Sequence, residues 1–482
     1  MARSKRRERS RRGSRSTSPR PAPFVTGGPG VAGAVVGDRV RQLFSPGYVQ
    51  LVLASAKNQY RQRLLTIEIV LLAVLDFVVG QMEAFAEVVD RLCRGAVPGL
   101  PVVEVTPSAF YKRLHAISHT VFLDLLRRVT MGLRAAQTHR RGWVRSLAPF
   151  ADGLYALDDT TLDALVRRTA SLKKHPKGAM ETLGGRLGCA LDLVTGKFAE
   201  VLYDPDSKAN EKTHARPLIE RLGAGALYVF DLGYFAYPFL DYLSEHYCYF
   251  VTRMREKASY EVVRELATGP FYRDRIVWLG KYRADRAAHP VRLVELLIRG
   301  TWYRYLTNVW DPRLLGAPQI WALYGQRWTI EMSFAAVKRS LGLAYLRLTH
   351  QNGILIQVWC TLAVYQVLQD LRLEIATANG WNEDEVSWEM LMRRIAWYAQ
   401  RLVPTHKTLR DWLVQDGARL FLKKRGVRRR RLTALPESVT AACDPPPLLP
   451  DLPLIDPRKA RQGDQQRRCR KNVPETTMAG LS

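Results

Sequence analysis

The hydrophobic period of the chain changes near residue 150, and this change restricts the possible folds more than any other feature. Between about 40 and 150 the apolar residues recur every three or four positions, as in "TIEIVLLAVLDFVV" and "MEAFAEVVDRL", which is typical of packed helices. After about 150 the chain has short runs rich in β-branched and aromatic residues, with turn residues and helical segments between them. This order predicts a helical N-terminal region followed by an α/β domain built on a mixed sheet.

Local signals predict several element boundaries. Thr106 and Pro107 predict the start of a helix, because Thr is a favourable N-cap and Pro fits the first helical position. The segment 195–197, "TGK", predicts a hairpin turn between two strands, and 214–222 predicts a helix before the next strand. A short helix, a Gly/Pro break and a basic helix upstream of residue 117 resemble a helix-turn-helix unit. A plain helical bundle explains that pattern equally well.

The overall composition indicates a folded protein with a polyanionic partner. The 482 residues are 47% apolar and include 73 Lys and Arg against 45 Asp and Glu, a formal net charge of +28. Such an excess makes nucleic acid the first candidate partner. We interpret 1–39 as a disordered basic arm and 401–482 as a basic, Pro-rich C-terminal region. Both are expected to contact phosphates without reading sequence, with a purely solubilising role as the alternative.

Several other classes of protein and site are disfavoured. The six cysteines stand singly, which argues against structural zinc and a disulfide framework and fits the reducing cytoplasm. The strongest apolar run, 69–75, is too short to span a bilayer, so we read it as a buried helix and expect no membrane partner. His175, His214 and His350 have no metal-ligand spacing, and we expect them at the surface or at helix ends.

Two aspartates stand at the ends of apolar strands. Asp158 follows the run 154–157, and Asp231 follows the run 227–230. Ligand sites gather at strand ends in sheets that carry helices. Asp159 is adjacent to Asp158, and alternation along a strand sends the two side chains to opposite faces, so only one of them can join a shared site. We favour Asp158 and keep Asp159 as the alternative.

The segment "YGQRWTIEMSFAAVK" predicts a helix with one polar stripe. Tyr324, Arg327, Glu331 and Lys338 have offsets of 0, 3, 7 and 14, which place them within roughly 60° of one another at about 100° per residue. The solvated face of a surface helix is one interpretation. The other is that Glu331 joins the two strand-end aspartates, because Mg²⁺ would relieve the repulsion of three carboxylates. The Arg and Lys side chains would then face phosphates.

The same residues resemble a known family. The pattern Y-x2-R-x3-E-x6-K in this segment resembles the signature of insertion-sequence DDE transposases of the IS-four type. The sequence "DDTT" at 158–161 is similar to the family's D-x-T segment, and "DLGY" at 231–234 is similar to its D-x-G-Y/F segment. The resemblance covers roughly 40–400 and leaves out both basic end segments.

For the architecture, the resemblance implies an α/β, ribonuclease-H-like, mixed-sheet catalytic core at 151–400 with a β-rich insertion at about 255–315, preceded by a helical DNA-binding domain at 40–150. The implied activity is cut-and-paste transposition, in which metal-dependent hydrolysis at transposon ends precedes strand transfer to target DNA. The implied partners are both DNAs and a second protomer in a synaptic homodimer. The implied location is the cytoplasm, in association with the nucleoid.

For the site, the resemblance implies that the three carboxylates hold two Mg²⁺ ions, for which Mn²⁺ can substitute. Trp302, or its neighbour Tyr303, would stack on a flipped base, with a strand-core role as the alternative. Arg253 would contact DNA or pair with an acid. The expected catalytic and metal-binding residues are Asp158, Asp231 and Glu331, and the expected DNA contacts are Tyr324, Arg327, Lys338, Trp302 and Arg253.

Two other functions are kept as alternatives. A related structure-guided DNA nuclease would use the same carboxylates without strand transfer. A non-catalytic DNA-binding derivative would be indicated by the loss of any one carboxylate, and all three are present.

Overall fold

The structure is a computed structural model of the chain, and it describes the greater part of the sequence between residues 64 and 448. The basic arm expected at 1–39 lies outside the described residues, as does most of the region 401–482. The described residues are 64–80, 82–97, 100–135, 141–162, 185–206, 208–283, 285–343, 346–348, 350–392, 414, 418–423 and 435–448.

Helices form the N-terminal part of the described chain, as the spacing of apolar residues predicts. These helices are α1 (Ile67–Val79), α2 (Phe85–Cys93), α3 (Pro107–Ala116), α4 (His119–Ala135) and the single turn α5 (Gly142–Arg145). The predicted start of α3 is confirmed, because the Thr106 hydroxyl accepts a hydrogen bond from the Ala109 backbone N–H at 3.2 Å and Pro107 is the first helical residue. Most of the apolar run 69–75 is buried within α1, as expected.

One mixed sheet runs through the remainder of the described chain. Its strands are β1 (Leu154–Thr161), β2 (Arg186–Asp192), β3 (Lys197–Asp204), β4 (Leu227–Val229), β5 (Tyr249–Arg253), β6 (Tyr260–Thr268), β7 (Tyr272–Leu279), β8 (Val291–Ile298) and β9 (Thr301–Thr307). They lie in the order β3-β2-β1-β4-β5-β9-β8-β7-β6. The pairs β1–β4 and β4–β5 are parallel, and the other neighbouring strands are antiparallel. The expected α/β fold with a mixed sheet is confirmed.

Two connections show how local sequence shapes this sheet. The predicted hairpin turn at 195–197 is confirmed, since β2 and β3 pair on either side of a turn in which Gly196 adopts a positive φ of 68°. The β-rich segment expected at about 255–315 supplies β6 to β9, and it joins the same sheet because β9 pairs with β5. The segment therefore extends the sheet instead of forming a separate one.

Helices cover both faces of the part of the sheet that contains β1 to β5. They are α6 (Glu211–Leu222), α7 (Tyr237–Glu245), α8 (Ala317–Gln326), α9 (Trp328–Ala335) and α10 (Gln351–Ala378). The short helix α11 (Glu437–Ala442) contacts β8 instead. The start of α6 lies three residues before the predicted one. Apolar residues on α8, α9 and α10 pack on one face, and those on α6 and α7 pack on the other.

Helix α10 is the longest helix of the layer that also contains α8 and α9. Within the described part of the chain, it is the one helix whose length and composition would allow it to cross a membrane, and its apolar window is completely buried inside the fold. This burial is what the core helix of a folded domain requires.

Two elements escape prediction from the sequence. Strand β6 is partly exposed along its length and carries two register irregularities against β7, so its apolar alternation is weak. Helix α7 is short, with Pro238 in its first turn, and its pattern is difficult to distinguish from that of a strand.

Candidate active site

Asp158 and Asp231 extend from two adjacent parallel strands. In the pairing of β1 with β4, Ala156 lies opposite Val229, so each aspartate lies two residues beyond that pair. Because side chains alternate along a strand, both carboxylates leave the sheet on the face of Ala156 and Val229. Helix α9 packs against β1 on this face. The fold thus places the two predicted aspartates side by side at the carboxyl ends of their strands.

The electrostatics of Asp158 show that the three predicted carboxylates are neighbours. Its pKa is raised to about 7, mainly by burial, and the negative charges of Asp231 and Glu331 act in the same direction. The Asp159 backbone N–H, 2.8 Å from Asp158 Oδ1, and the Arg327 guanidinium both oppose the rise. We call Asp158, Asp231 and Glu331 together the acidic site.

The predicted helix over 324–338 consists of three segments. Helix α8 ends just before Arg327, and α9 begins just after it. Backbone hydrogen bonds at this junction span three residues, which tightens the turn, whereas residues 336–340 form a wider π-helical turn. The assumption of one uniform α-helix with about 100° per residue is therefore wrong here. The π turn, and not an α-helical stripe, sets the position of Lys338.

The residues of the predicted stripe nevertheless contact the acidic site or the strand beside it. Arg327 Nη2 donates to Glu331 Oε1 at 2.7 Å, and the Arg327 guanidinium lies 6.0 Å from the ring centroid of Tyr324. Lys338 Nζ donates to the Thr161 carbonyl oxygen at 2.6 Å. Lys338 therefore ties the π turn to the carboxyl end of β1, just beyond the acidic site.

Arg253 lies on the same face, at the end of β5. It is paired with Tyr305 on β9, and its guanidinium lies 5.6 Å from the Tyr303 ring centroid. Burial raises the pKa of Tyr324, and the positive charges of Arg327 and Arg253 oppose this rise. The Arg253 Nε is buried and has no hydrogen-bond partner among the described residues. A buried donor of this kind is suited to an anionic ligand, because leaving it unsatisfied is costly.

Trp302 is not brought to the acidic site by the alternation of β9. Tyr303 and Tyr305 pack on the face that carries the carboxylates, so Trp302 lies on the opposite face. There the Arg273 guanidinium lies 4.3 Å from the Trp302 ring centroid. Of the two aromatics considered from the sequence, Tyr303 is the one on the side of the acidic site.

Asp159 belongs to a different set of contacts, on the other face of β1. Its buried carboxylate accepts a hydrogen bond from the Tyr234 hydroxyl at 2.6 Å. It also lies 2.5 Å from His214 Nδ1 and 3.0 Å from Arg186 Nε. The geometry therefore favours Asp158 as the member of the acidic site, since Asp159 is directed away from Asp231.

The expectation that His214 is a surface or capping residue is wrong. His214 is buried between Asp159 and Asp204, whose Oδ2 lies 3.0 Å from its Nε2. Spacing in the sequence misses this arrangement because its three members come from three separate elements, β1, β3 and α6. The available signal was the second aspartate of "DDTT", which strand alternation directs towards the helix layer containing α6.

The donor chemistry of the acidic site suits a divalent cation. Three carboxylates, one of them with a pKa raised to about 7, concentrate negative charge that such an ion would relieve. In this structure Glu331 pairs with Arg327 and not with an ion. No group of three His, Cys, Asp or Glu side chains in the described ranges is arranged to hold an ion. The residues fit the cation by type and charge, and Glu331 would exchange its ion pair for a metal contact.

Comparison with known protein families identifies this part of the chain. The family model described as the transposase DDE domain matches residues 149–367, which include all three carboxylates. Residues 149–367 of this chain are therefore similar to the transposase DDE domain. This domain defines a family of catalytic enzymes that generally use divalent metal ions.

Individual proteins are similar to this chain at low identity. The chain is 27% identical over 192 residues to y4zB, a candidate transposase of Sinorhizobium fredii (strain NBRC 101917 / NGR234), covering 36% of this chain and 53% of that protein. It is 23% identical over 226 residues to transposase InsG for insertion sequence element IS4 of Escherichia coli (strain K12), covering 44% and 50%. The match therefore spans about half the length of these relatives, and the chain is distantly related to IS4-family transposases.

Among solved structures, the chain resembles a piggyBac transposase determined in a synaptic complex with hairpin DNA. The similarity covers 84% of this chain and 88% of that one, at 11% sequence identity and a TM-score of 0.36. At this TM-score the two folds cannot be equated.

Proposed function

We propose that the chain is the transposase of an insertion sequence, acting by cut-and-paste transposition, with its catalytic centre at the acidic site. The observation that carries this proposal is the convergence of Asp158, Asp231 and Glu331 on one sheet face within the DDE domain. Two come from adjacent parallel strands and the third comes from the helix packed over them.

We further propose that the core is ribonuclease-H-like. The sheet order β3-β2-β1-β4-β5, with β1 to β3 antiparallel and β1, β4 and β5 parallel, supports this assignment. In such a sheet the carboxyl ends of the parallel strands form a natural edge for a ligand site. The remaining strands extend the sheet beyond β5 and bring Arg253 and Tyr303 to that edge.

In this proposal the three carboxylates hold two Mg²⁺ ions, with Mn²⁺ as a substitute. When bound, such ions stabilise the attacking and leaving oxygens of a phosphodiester displacement. Asp158 must lose its proton to serve as a ligand, and its pKa of about 7 means that this occurs near neutral pH. Arg327 holds the Glu331 carboxylate beside the other two until it is needed as a ligand.

The basic side chains around the acidic site are proposed to bind the DNA backbone. Arg253 has a buried Nε without a partner in the described part of the chain, and a phosphate oxygen would satisfy it. Lys338 lies at the carboxyl end of β1 beside the acidic site, and Tyr324 and Arg327 line the same edge. Tyr303, on the face of the acidic site, takes the place of Trp302 as the base-stacking candidate.

The proposed partners are the transposon ends and the target DNA, bound by a synaptic homodimer in the cytoplasm at the nucleoid. The formal net charge of +28 supports association with polyanions. The helices α1 to α4, which precede the DDE domain, are the proposed DNA-binding domain.

The test uses the full chain, Mg²⁺, a labelled duplex carrying the end of its own element and a supercoiled target plasmid. Wild type is expected to cleave at the element boundary and join the freed end to the plasmid. Glu331→Gln should bind the duplex and cleave nothing, while Glu437→Gln, an exposed residue on α11, should behave as wild type. Cleavage without joining would favour the nuclease, and binding without cleavage by wild type would favour the non-catalytic derivative. Equal cleavage by Glu331→Gln would refute the assignment of the site.

A further inference from the structure

We propose that Asp159 is a positioning residue that holds the Asp158 and Asp231 carboxylates in a fixed relation to each other. This inference rests on the proposed function, because it concerns the readiness of the acidic site for a divalent cation. Asp159 lies on the opposite face of β1 and does not enter that site. It acts through the backbone and through one hydroxyl group.

The first link joins Asp159 to Asp158. The Asp159 backbone N–H donates to Asp158 Oδ1 at 2.8 Å, which restricts the rotation of that carboxylate. The Asp159 side chain is fully buried, with an exposed fraction of 0%. Any shift of this side chain is therefore transmitted to the strand that carries both residues, because close-packed interiors leave no room for independent movement.

The second link joins Asp159 to the segment that carries Asp231. Asp231 accepts a hydrogen bond from the Gly233 N–H at 2.7 Å and thereby caps the 3₁₀ turn Leu232–Tyr234. Tyr234, the last residue of that turn, donates its hydroxyl to Asp159 Oδ1 at 2.6 Å. This hydrogen bond thus ties the turn that orients Asp231 to the strand that carries Asp158.

Two further groups contact the Asp159 carboxylate, one from helix α6 and one from the neighbouring strand β2. Oδ2 lies 2.5 Å from His214 Nδ1 on α6 and 3.0 Å from Arg186 Nε on β2. His214 is held in turn by Asp204 at the end of β3, 3.0 Å from its Nε2. Gly188 on β2 makes room for the imidazole, since a Cβ at that position would lie 2.5 Å from His214 Cβ.

The charges of these residues favour one fixed position for the Asp159 carboxylate. The hydrogen bond to Asp159 raises the pKa of His214, and the carboxylates of Asp159 and Asp204 face one imidazole ring and one guanidinium. Charge-assisted hydrogen bonds of this kind are shorter and stronger than neutral ones. A carboxylate is required at Asp159 because an amide has one acceptor oxygen and would turn its NH₂ group towards other donors.

The decisive variant is Tyr234→Phe, which removes the linking hydroxyl and keeps the buried ring. Residues that orient metal ligands typically change metal affinity by 10–100-fold when they are lost, so we expect Tyr234→Phe to weaken Mn²⁺ binding by about tenfold. Binding is measured on the full chain by electron paramagnetic resonance of free Mn²⁺. Cleavage should recover when Mn²⁺ is raised by the same factor, so that the metal half-saturation changes and the maximal rate does not.

The matched control is Tyr228→Phe. Tyr228 is also fully buried, and it lies on β4 in the same apolar cluster, but its hydroxyl is directed to the Gly223 carbonyl at 3.5 Å. We expect wild-type Mn²⁺ binding from this control. Equal weakening by both variants would indicate general loosening of the core and would overturn the positioning role, as would unchanged binding by Tyr234→Phe.

Asp231→Asn separates this inference from the proposed function. If wild type binds Mn²⁺ and Asp231→Asn does not, the acidic site stands, and Tyr234→Phe alone decides the role of Asp159. If wild type binds no Mn²⁺, both proposals are overturned. Should Tyr234→Phe fail to fold, His214→Gln takes its place, because glutamine can still donate one hydrogen bond to Asp159, and we expect a smaller loss of affinity in the same direction.

Discussion

The buried charge of Asp158 should lower the free energy of unfolding of the metal-free protein, and Asp158→Asn should remove this destabilisation. Burial, aided by Asp231 and Glu331, raises the pKa of Asp158 from 3.8 to about 7. As the pH rises from about 4 to about 7, the unfolded chain releases this proton before the folded chain does. The folded state therefore loses stability between about pH 4 and pH 7, and its stability does not fall further for this reason above pH 7. Asparagine at this position has the same shape and no charge to bury.

The size of the effect follows from the pKa values. A difference of about 3 pKa units corresponds to about 4 kcal/mol at 1.36 kcal/mol per unit. Burying the asparagine amide has its own cost of roughly 1–3 kcal/mol. We therefore expect Asp158→Asn to raise the free energy of unfolding by about 1–3 kcal/mol at pH 8 without metal. At pH 4 we expect it to lower the free energy of unfolding by up to about 2 kcal/mol, because the charge is absent there and the cost of the amide remains.

The assay is urea unfolding of both proteins in EDTA at pH 4, 6 and 8, followed by circular dichroism. Asp124→Asn serves as the control, because Asp124 is 46% exposed and pairs loosely with Arg127 at 3.8 Å. Its effect should stay within about 0.5 kcal/mol at every pH. Excess Mn²⁺ should stabilise wild type and leave Asp158→Asn unchanged. The reasoning is refuted if Asp158→Asn is no more stable than wild type at pH 8 in EDTA.

Two further predictions concern buried ion pairs that are not part of the acidic site. Burial tends to raise the pKa of Glu383, but the guanidinium groups of Arg141 and Arg372 outweigh burial and lower this pKa to about 2. The ionised Glu383 therefore stabilises the folded state above pH 4.5, and this stabilisation is lost as the pH falls towards 2. Glu383→Gln should cost about 3–5 kcal/mol at pH 7 and clearly less at pH 3, as measured by urea unfolding, and an equal cost at both pH values would contradict this. Asp274→Asn should cost a similar 3–5 kcal/mol at pH 7, because it leaves the fully buried Arg292 without its ion pair; a loss below about 1 kcal/mol in guanidinium chloride unfolding would show that the charge finds another partner.

The sequence predicts the elements whose signals are local. The N-cap and proline at the start of α3 act within one turn, and the glycine of the β2–β3 hairpin acts within its own turn. Helix α7 and strand β6 lack such signals. Their type is decided by packing against the rest of the sheet, which no window of the sequence contains.

The acidic site is an intermediate case. The strand-end positions of Asp158 and Asp231 and the place of Glu331 on a helix are visible in the sequence, and the structure brings the three together. The uniform helical stripe was wrong in detail, because the tight junction at Arg327 and the π turn that holds Lys338 depend on how α9 docks on β1. A change from α-helical hydrogen bonds to tighter or wider ones leaves no clear pattern of residue types, so the sequence does not predict it.

By itself, the sequence determined the chemical inventory of this protein: an apolar α/β core, a large positive charge, and acids where strands end. Only the tertiary structure decided which of two adjacent aspartates faces the other carboxylates. That choice depends on the register of β1 against β4, where a slip of one residue would exchange the faces of Asp158 and Asp159. Long-range contacts also decided that His214 is a buried partner, because its two carboxylates come from separate strands of the folded sheet.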